Sequence, residues 1–315
     1  MSPVTGQEPG GQSTPPVQGA HVPTEDLSVP SSSGQQPRTA NKPSLATSPA
    51  AAGTSLLYPA LSDAAPGVRA KQLTVALHWD RSLPEGIGKP MSLAECLLRD
   101  PGADRRATIE AYWRVRQRAA EYQALVEQGA LFDGLDALVL ERRQERSGPT
   151  DMLRLRLARL AAQASIREAH AALIEAQYVL AQRIGARGDS AWPLASTVPH
   201  WGTYLLKLEA QPKAVVESWP IRRLATTIPM LCDSVQQHAA AIVEADAARV
   251  SAIEKYRSGG SIDQLIDSVT VQTQQTLQIL ATLTDYNTAI AEYVLTVLPP
   301  ATPASRLVSA LVLNP

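Results

Sequence analysis

The sequence predicts an all-α fold: two tandem long antiparallel helical hairpins, of coiled-coil or α-barrel type, after a disordered N-terminal tail. Three observations predict it. Apolar residues make up 44% of the 315 residues but aromatics only 4%, with a single Phe. The filler is Ala, Leu, Gln and Val, which suits close-packed helices rather than an aromatic-rich sandwich or barrel. Four long stretches carry apolar residues stepping by three and four. An Arg-Ser-Gly turn recurs 111 residues apart, at Arg146-Ser147-Gly148 and Arg257-Ser258-Gly259, each time between two of those stretches.

Residues 1–68 read as a Pro/Ser/Gly-rich tail. Nine of the 24 prolines fall in residues 1–50, which hold no aromatic residue. Such a segment buries too little apolar surface to offset its backbone entropy. Two readings stand for it, a long tether and a partner-binding tail. Residues 69–103 read as an extended strap, alternating over 71–79, and a short helix. Ser92-Leu93-Ala94-Glu95 opens that helix with a capping box and Asp100-Pro101-Gly102 stops it.

The first hairpin spans 104–186. Its first helix runs from about Asp104 to Glu145 through Tyr112, Val115, Ala119, Tyr122 and Val126, weakened at Gly129 and Gly134. Its second runs from Thr150 to about Ile184 and shows two stripes. One is Leu153, Leu157, Leu160, Ala164, Ile174 and Tyr178; the other is Ala162, Ile166, Ala169, Leu173, Ala176 and Leu180. Two stripes on one helix imply neighbours on two sides.

A connector at 187–226 is broken by Gly and Pro, with Tyr204 to Ala210 as a short helix or strand. Its Arg187-Gly188-Asp189 is a chance-level tripeptide. The second hairpin spans 227–299. Its first helix starts near Thr227, with Pro229 in the first turn, where a missing N–H costs nothing. Its stripe includes Leu231, Val235, His238, Ile242, Ala245, Ala252 and Tyr256. Its second helix runs from Ser261 to Leu298 and stops at Pro299-Pro300. The seam Val269, Thr273, Thr276, Leu280, Leu283, Asn287, Ile290, Val294 and Val297 steps 4,3 without a slip over four heptads. Asn287 either fixes register or faces a polar neighbour or water at the seam edge. Residues 300–315 read as a C-terminal tail.

The two turns use the same devices. Gly148 or Gly259 takes the left-handed conformation that ends a helix. Thr150 or Ser261 accepts N–H bonds to start the next, and Ser261-x-x-Gln264 spells a capping box. Asp263 and Asp267 sit one turn into the last helix, where negative charge favours a helix start or faces a tunnel.

Two tandem hairpins with this tip resemble the TolC-like outer-membrane efflux family. Three stretches carry the likeness over about residues 90–300: Pro90 to Leu97, Arg146 to Gly185, and Tyr256 to Asp267 followed by Asp285-Tyr286-Asn287-x-Ala289-Ile290-Ala291. The resemblance implies a homotrimer closing a periplasmic helical tunnel for efflux across the outer membrane. It implies adaptor or pump proteins docking at the tips formed by Arg146, Ser147, Gly148, Thr150, Arg257, Ser258, Gly259, Ser261 and Asp263. The likeness is to the helical part alone. The spare segments 71–79 and 201–210 are too short for the family's four barrel strands, and Met1 to Pro9 shows no signal peptide. The alternative is a non-pore coiled-coil scaffold or adaptor protein.

The near balance of 29 Lys+Arg against 30 Asp+Glu gives no whole-chain field to draw nucleic acid. Arg142, Arg143, Arg146, Arg154, Arg156 and Arg159 gather near the first tip, as a solvated hairpin end or a dock for an acidic partner. The five histidines never fall at metal-ligand spacing, and no phosphate loop or nucleophile elbow occurs. The expectation is no enzyme, no cofactor and no metal. Cys96 and Cys232 read as core residues or as one bridge.

Overall fold

The computed structural model describes residues 87–100, 104–145, 149–188 and 190–312. The expected tail 1–68, the strap 71–79, the tip residues Arg146, Ser147 and Gly148, and Asp189 lie outside the described residues. The chain divides into two units, 1–48 and 49–315, and all described residues belong to the second.

The described residues are mostly helical. A short strand β1 (Lys89–Met91) leads into α1 (Leu93–Arg99) and the long helices α2 (Arg105–Glu145) and α3 (Pro149–Arg183). Strand β2 (Pro193–Ala195), a 3-10 turn at Leu208–Ala210 and α4 (Lys213–Val216) follow. The long helices α5 (Trp219–Arg257) and α6 (Ile262–Val297) and the terminal α7 (Ala304–Val312) complete the order.

The local signals act where the sequence places them. Ser92 Oγ accepts from Glu95 N at 3.2 Å, and the Glu95 carboxylate accepts from Ser92 N at 2.7 Å. Those bonds satisfy two helix-start donors, and the Ser92 backbone bond holds the Glu95 carboxyl below the usual carboxylate range. Helix α3 ends at Gly185 (φ 62°), where Ala186 N donates to Ala181 O at 2.9 Å. Helix α5 ends at Gly259 (φ 114°), where Gly260 N donates to Lys255 O at 2.7 Å. Both ends are Schellman turns, in which a positive φ favours glycine. Helix α2 passes through Gly129 without a break. A Cβ at Gly129 would lie 3.2 Å from Ile166 Cδ1 of α3, so the glycine permits close approach of the two helices.

Four expectations need correction. Helix α5 begins at Trp219, not near Thr227. Pro220 occupies its first turn, and Pro229 lies inside the helix. Ile221, Leu224, Ile228 and Cys232 step by three and four into the core, and this burial carries the helix past the proline. Thr150 is the second residue of α3 rather than its cap. Residues 304–312 form a helix rather than a tail, because Ala304, Leu307 and Leu311 share a buried face. The fold also holds a two-stranded parallel sheet, Lys89–Met91 on Pro193–Ala195. Three-residue strands have too short a pattern to show in sequence.

Contacts give the packing order α3–α2–α6–α5. Gly129 meets Ile166, Arg142 meets Gly260 and Asp246 meets Gln272 across the adjacent pairs. The seam of α6 packs inward, with Val269, Leu280, Leu283, Asn287, Ile290 and Val294 all buried. The core falls into two apolar clusters. One, around Trp113, Leu173, Ile242 and Ile290, lies toward β1 and β2. The other, around Phe132, Leu155, Tyr256 and Leu265, lies toward the tips. Between them Gln123, Gln128, Arg249, Gln272, Thr273 and Thr276 are buried polar residues. There Asp246 Oδ1 accepts from both Arg249 Nη2 (2.8 Å) and Gln272 Nε2 (3.0 Å).

Candidate functional site: the helix tips and the outer face of α3

At the tips the four long helices are tied by side chains. The Arg142 guanidinium of α2 sits 4.3 Å from the ring centre of Tyr256 at the end of α5. Its Nη1 donates to Gly260 O at 2.6 Å, so one cation serves both a ring face and a carbonyl of the α5–α6 turn. The Tyr256 hydroxyl donates to Asp151 Oδ2 of α3 at 3.0 Å. Arg154 of α3 pairs with Asp263 of α6. Ser261 caps α6, accepting from Asp263 N at 3.2 Å.

Asp263 therefore serves an ion pair as well as the helix start, while Asp267 is exposed. Arg257 pairs with Glu254 at 2.8 Å, and Ser258 Oγ donates to Lys255 O at 3.0 Å. Three arginines of the cluster are engaged within the chain. Arg159 pairs with Asp133 and Asp136 and donates to Phe132 O. Arg142 and Arg154 are engaged as above. Thr150 and Arg156 are exposed. The sequence could not show this, because Asp133, Asp136 and Asp263 reach these arginines only through the packing.

The opposite end is stitched by hydroxyls and one amide. The Tyr112 hydroxyl donates to Met91 O (2.9 Å) and accepts from Thr197 N (2.6 Å). Asn287 faces a polar neighbour. Its Oδ1 accepts from His200 N (2.7 Å), and its Nδ2 donates to His200 O (2.8 Å) and Leu283 O (2.8 Å). Its amide thus pairs with the connector as another backbone would. His200 Nδ1 lies 3.0 Å from Val312 O and the Tyr204 hydroxyl donates to Ala310 O at 2.8 Å, fastening α7. Burial pushes the Tyr204 and Tyr286 hydroxyls well above the usual tyrosine range.

Neither cysteine forms a disulfide, and both are buried. Burial, with Glu95 nearby, pushes the Cys96 thiol up to about 12. Among the described residues no His/Cys/Asp/Glu group has the makings of a metal site, and no helix is long and apolar enough to cross a membrane. A cavity of about 30 Å³ between α2 and α6, lined by Trp113, Arg116 and Asn287, has room for a water or two.

The two stripes of α3 part company. Ala162, Leu173, Ala176 and Leu180 are buried, with Ile166 and Ala169 packed against the same core. The other stripe faces outward: Leu153 is 57% exposed, Leu157 57%, Leu160 56%, Ile174 40% and Tyr178 46%. On a helical wheel the exposed stripe lies roughly 160° from the buried one. Five large apolar side chains in one file on one helix are more than the scattered singles normal on a surface.

No family model matches the chain, and neither a curated protein nor a solved structure proves similar to it.

Proposed function

We propose that this chain is a wall segment of an efflux or secretion conduit of the TolC-like outer-membrane type. In this reading two copies of one helical hairpin, α2–α3 and α5–α6, lie in tandem. Three chains close edge to edge into a periplasmic tunnel that gives efflux transmembrane transport across the outer membrane. The observation that carries the reading is the outward apolar file on α3, the helix at one edge of the packing order. A helix that is apolar on opposite sides needs a second neighbour. Level with the far end of that file, the far-edge helix α5 presents exposed Met230 on its outward face, opposite Tyr178 of the next chain in the ring. Adaptor or pump proteins then dock at the tips, around Thr150, Arg156, Arg257 and Ser258.

A second reading, a coiled-coil scaffold without a pore, draws on one feature. Most of the outward face of α5 is polar, with Arg222, Thr226, Asp233, Gln237, Glu244 and Ser251 exposed. One edge of the wall thus offers much less apolar surface than the other.

Mass measurement and particle imaging of the full chain separate the two. The conduit reading expects closed trimers with a central channel. A species without a channel at every concentration sinks it and leaves the scaffold.

A further inference from the structure

The outward file of α3 has a property that ring closure does not use: it is complementary to itself when reversed. Its positions run from Leu153 to Tyr178 in steps of 4,3,4,3,4,3,4, about 38 Å of helix. Pairing the file with a reversed copy sets Leu153 against Tyr178 and Leu157 against Ile174 at both ends. In the middle, Leu160 meets Ala171 and Ala164 meets Arg167. Large apolar residues thus meet each other at the ends, and each larger central residue meets an alanine. This is the layer pattern of an antiparallel coiled coil.

We propose that the outer face of α3 takes a second copy of this chain in antiparallel two-fold pairing, forming a closed dimer.

Charge selects the direction. Side-by-side pairing in the same direction would stack Arg167 on Arg167 in the centre of the seam, and like charges there oppose association. Reversal moves each Arg167 over an alanine, where its stem covers apolar surface and its head reaches water. Reversal also brings Glu175 of one copy beside Arg154 of the other, where it would share that guanidinium with Asp263, twice by symmetry. Both side chains are exposed, so the pairs steer and orient the association more than they strengthen it. A two-fold contact is self-complementary by construction, and it closes after two chains because each copy contributes the same patch. Helix α5, mostly polar on its outward face, is left at both outer edges of the pair.

The dimer and the ring compete for one seam. In the dimer the two copies point in opposite directions, which no tunnel of like-oriented chains accommodates. A chain so paired is held out of the ring with its apolar file covered. The proposal does not require the conduit reading.

The test uses the full chain, whose two native cysteines are buried. One variant carries Leu157→Cys with Ile174→Cys, which face each other only in the reversed pair. A second carries Tyr178→Cys with Met230→Cys, which face each other only in a ring. All four positions are exposed, so the core is untouched. The dimer expects wild-type chain to sediment at twice its 33.7 kDa mass. It expects the first variant to oxidise to a covalent dimer, and Leu157→Glu to weaken association at least about tenfold with helicity unchanged. Covalent trimers from the second variant, with none from the first, overturn the dimer and support the conduit. Dimers from the first with none from the second leave the dimer standing and count against the conduit. A wild-type chain that stays monomeric at micromolar concentration, with no link in either variant, overturns both.

Discussion

At the scale of single residues, the buried ionisable groups set how the protein meets alkali. The Cys96 thiol rises from 9.0 to about 12 through burial. Burial likewise raises the Tyr112, Tyr204, Tyr286 and Tyr293 hydroxyls above 10.0. In the unfolded chain these groups lose their protons from pH 9–10 upward, while the folded chain keeps them. The folded state then binds more protons, so stability is full below pH 9 and is lost as pH rises through the folded values. Urea unfolding midpoints are expected to be level from pH 7 to 8.5 and to fall steadily by pH 11. Cys96→Ala should flatten part of that fall. A midpoint that holds constant to pH 11 would mean these groups are open to water.

At the scale of the element, α5 is held by its packing against its own propensity. Pro229 lies ten residues into a 39-residue helix. It removes one backbone bond and presses its ring on the preceding turn, at a cost of about 3 kcal/mol in an unsupported helix. Its side chain is exposed, so an alanine there loses little contact. Pro229→Ala is expected to raise unfolding stability by about 1–3 kcal/mol and to add slightly to the helical circular dichroism. An unchanged or lower midpoint would show that the proline ring packs against something the helix needs. The α5–α6 turn works in the opposite sense. Gly259 at φ 114° and Gly260, whose Cβ would lie 2.8 Å from Lys255 O, are both required by the turn. The second Arg-Ser-Gly was legible in sequence as a helix end for this reason.

At the scale of the whole described unit, the core is interrupted. The tip cluster around Phe132, Leu155, Tyr256 and Leu265 is smaller than the cluster around Trp113 and Ile290. The belt of Gln123, Gln128, Arg249 and Gln272 stands between them. A buried polar layer adds less net stability than the same area of apolar packing. Native-state hydrogen exchange is therefore expected to show two tiers. Amides in 132–145, 150–162 and 253–269 should open at lower free energy than those in 109–122 and 279–294. One uniform tier would mean that the belt couples the two clusters into one cooperative core.

The sequence by itself determined the helices, because 4,3 spacing, capping residues and glycine stops act over a few neighbouring residues. It placed the seam of α6 from Val269 to Val294, the box at Ser92 and the two stripes of α3 for that reason. It placed the start of α5 eight residues late, because Pro229 obeys a local rule that the burial of Ile221, Leu224 and Ile228 outweighs. It also missed α7 and the small sheet, whose patterns are only a few residues long. Tertiary structure alone decided which side chains Arg142, Arg154 and Arg159 spend their charge on, and that Asn287 pairs with His200. It also decided which of the two α3 stripes is left uncovered. Such pairings join residues far apart in the chain, and only the packing of the helices brings them within reach.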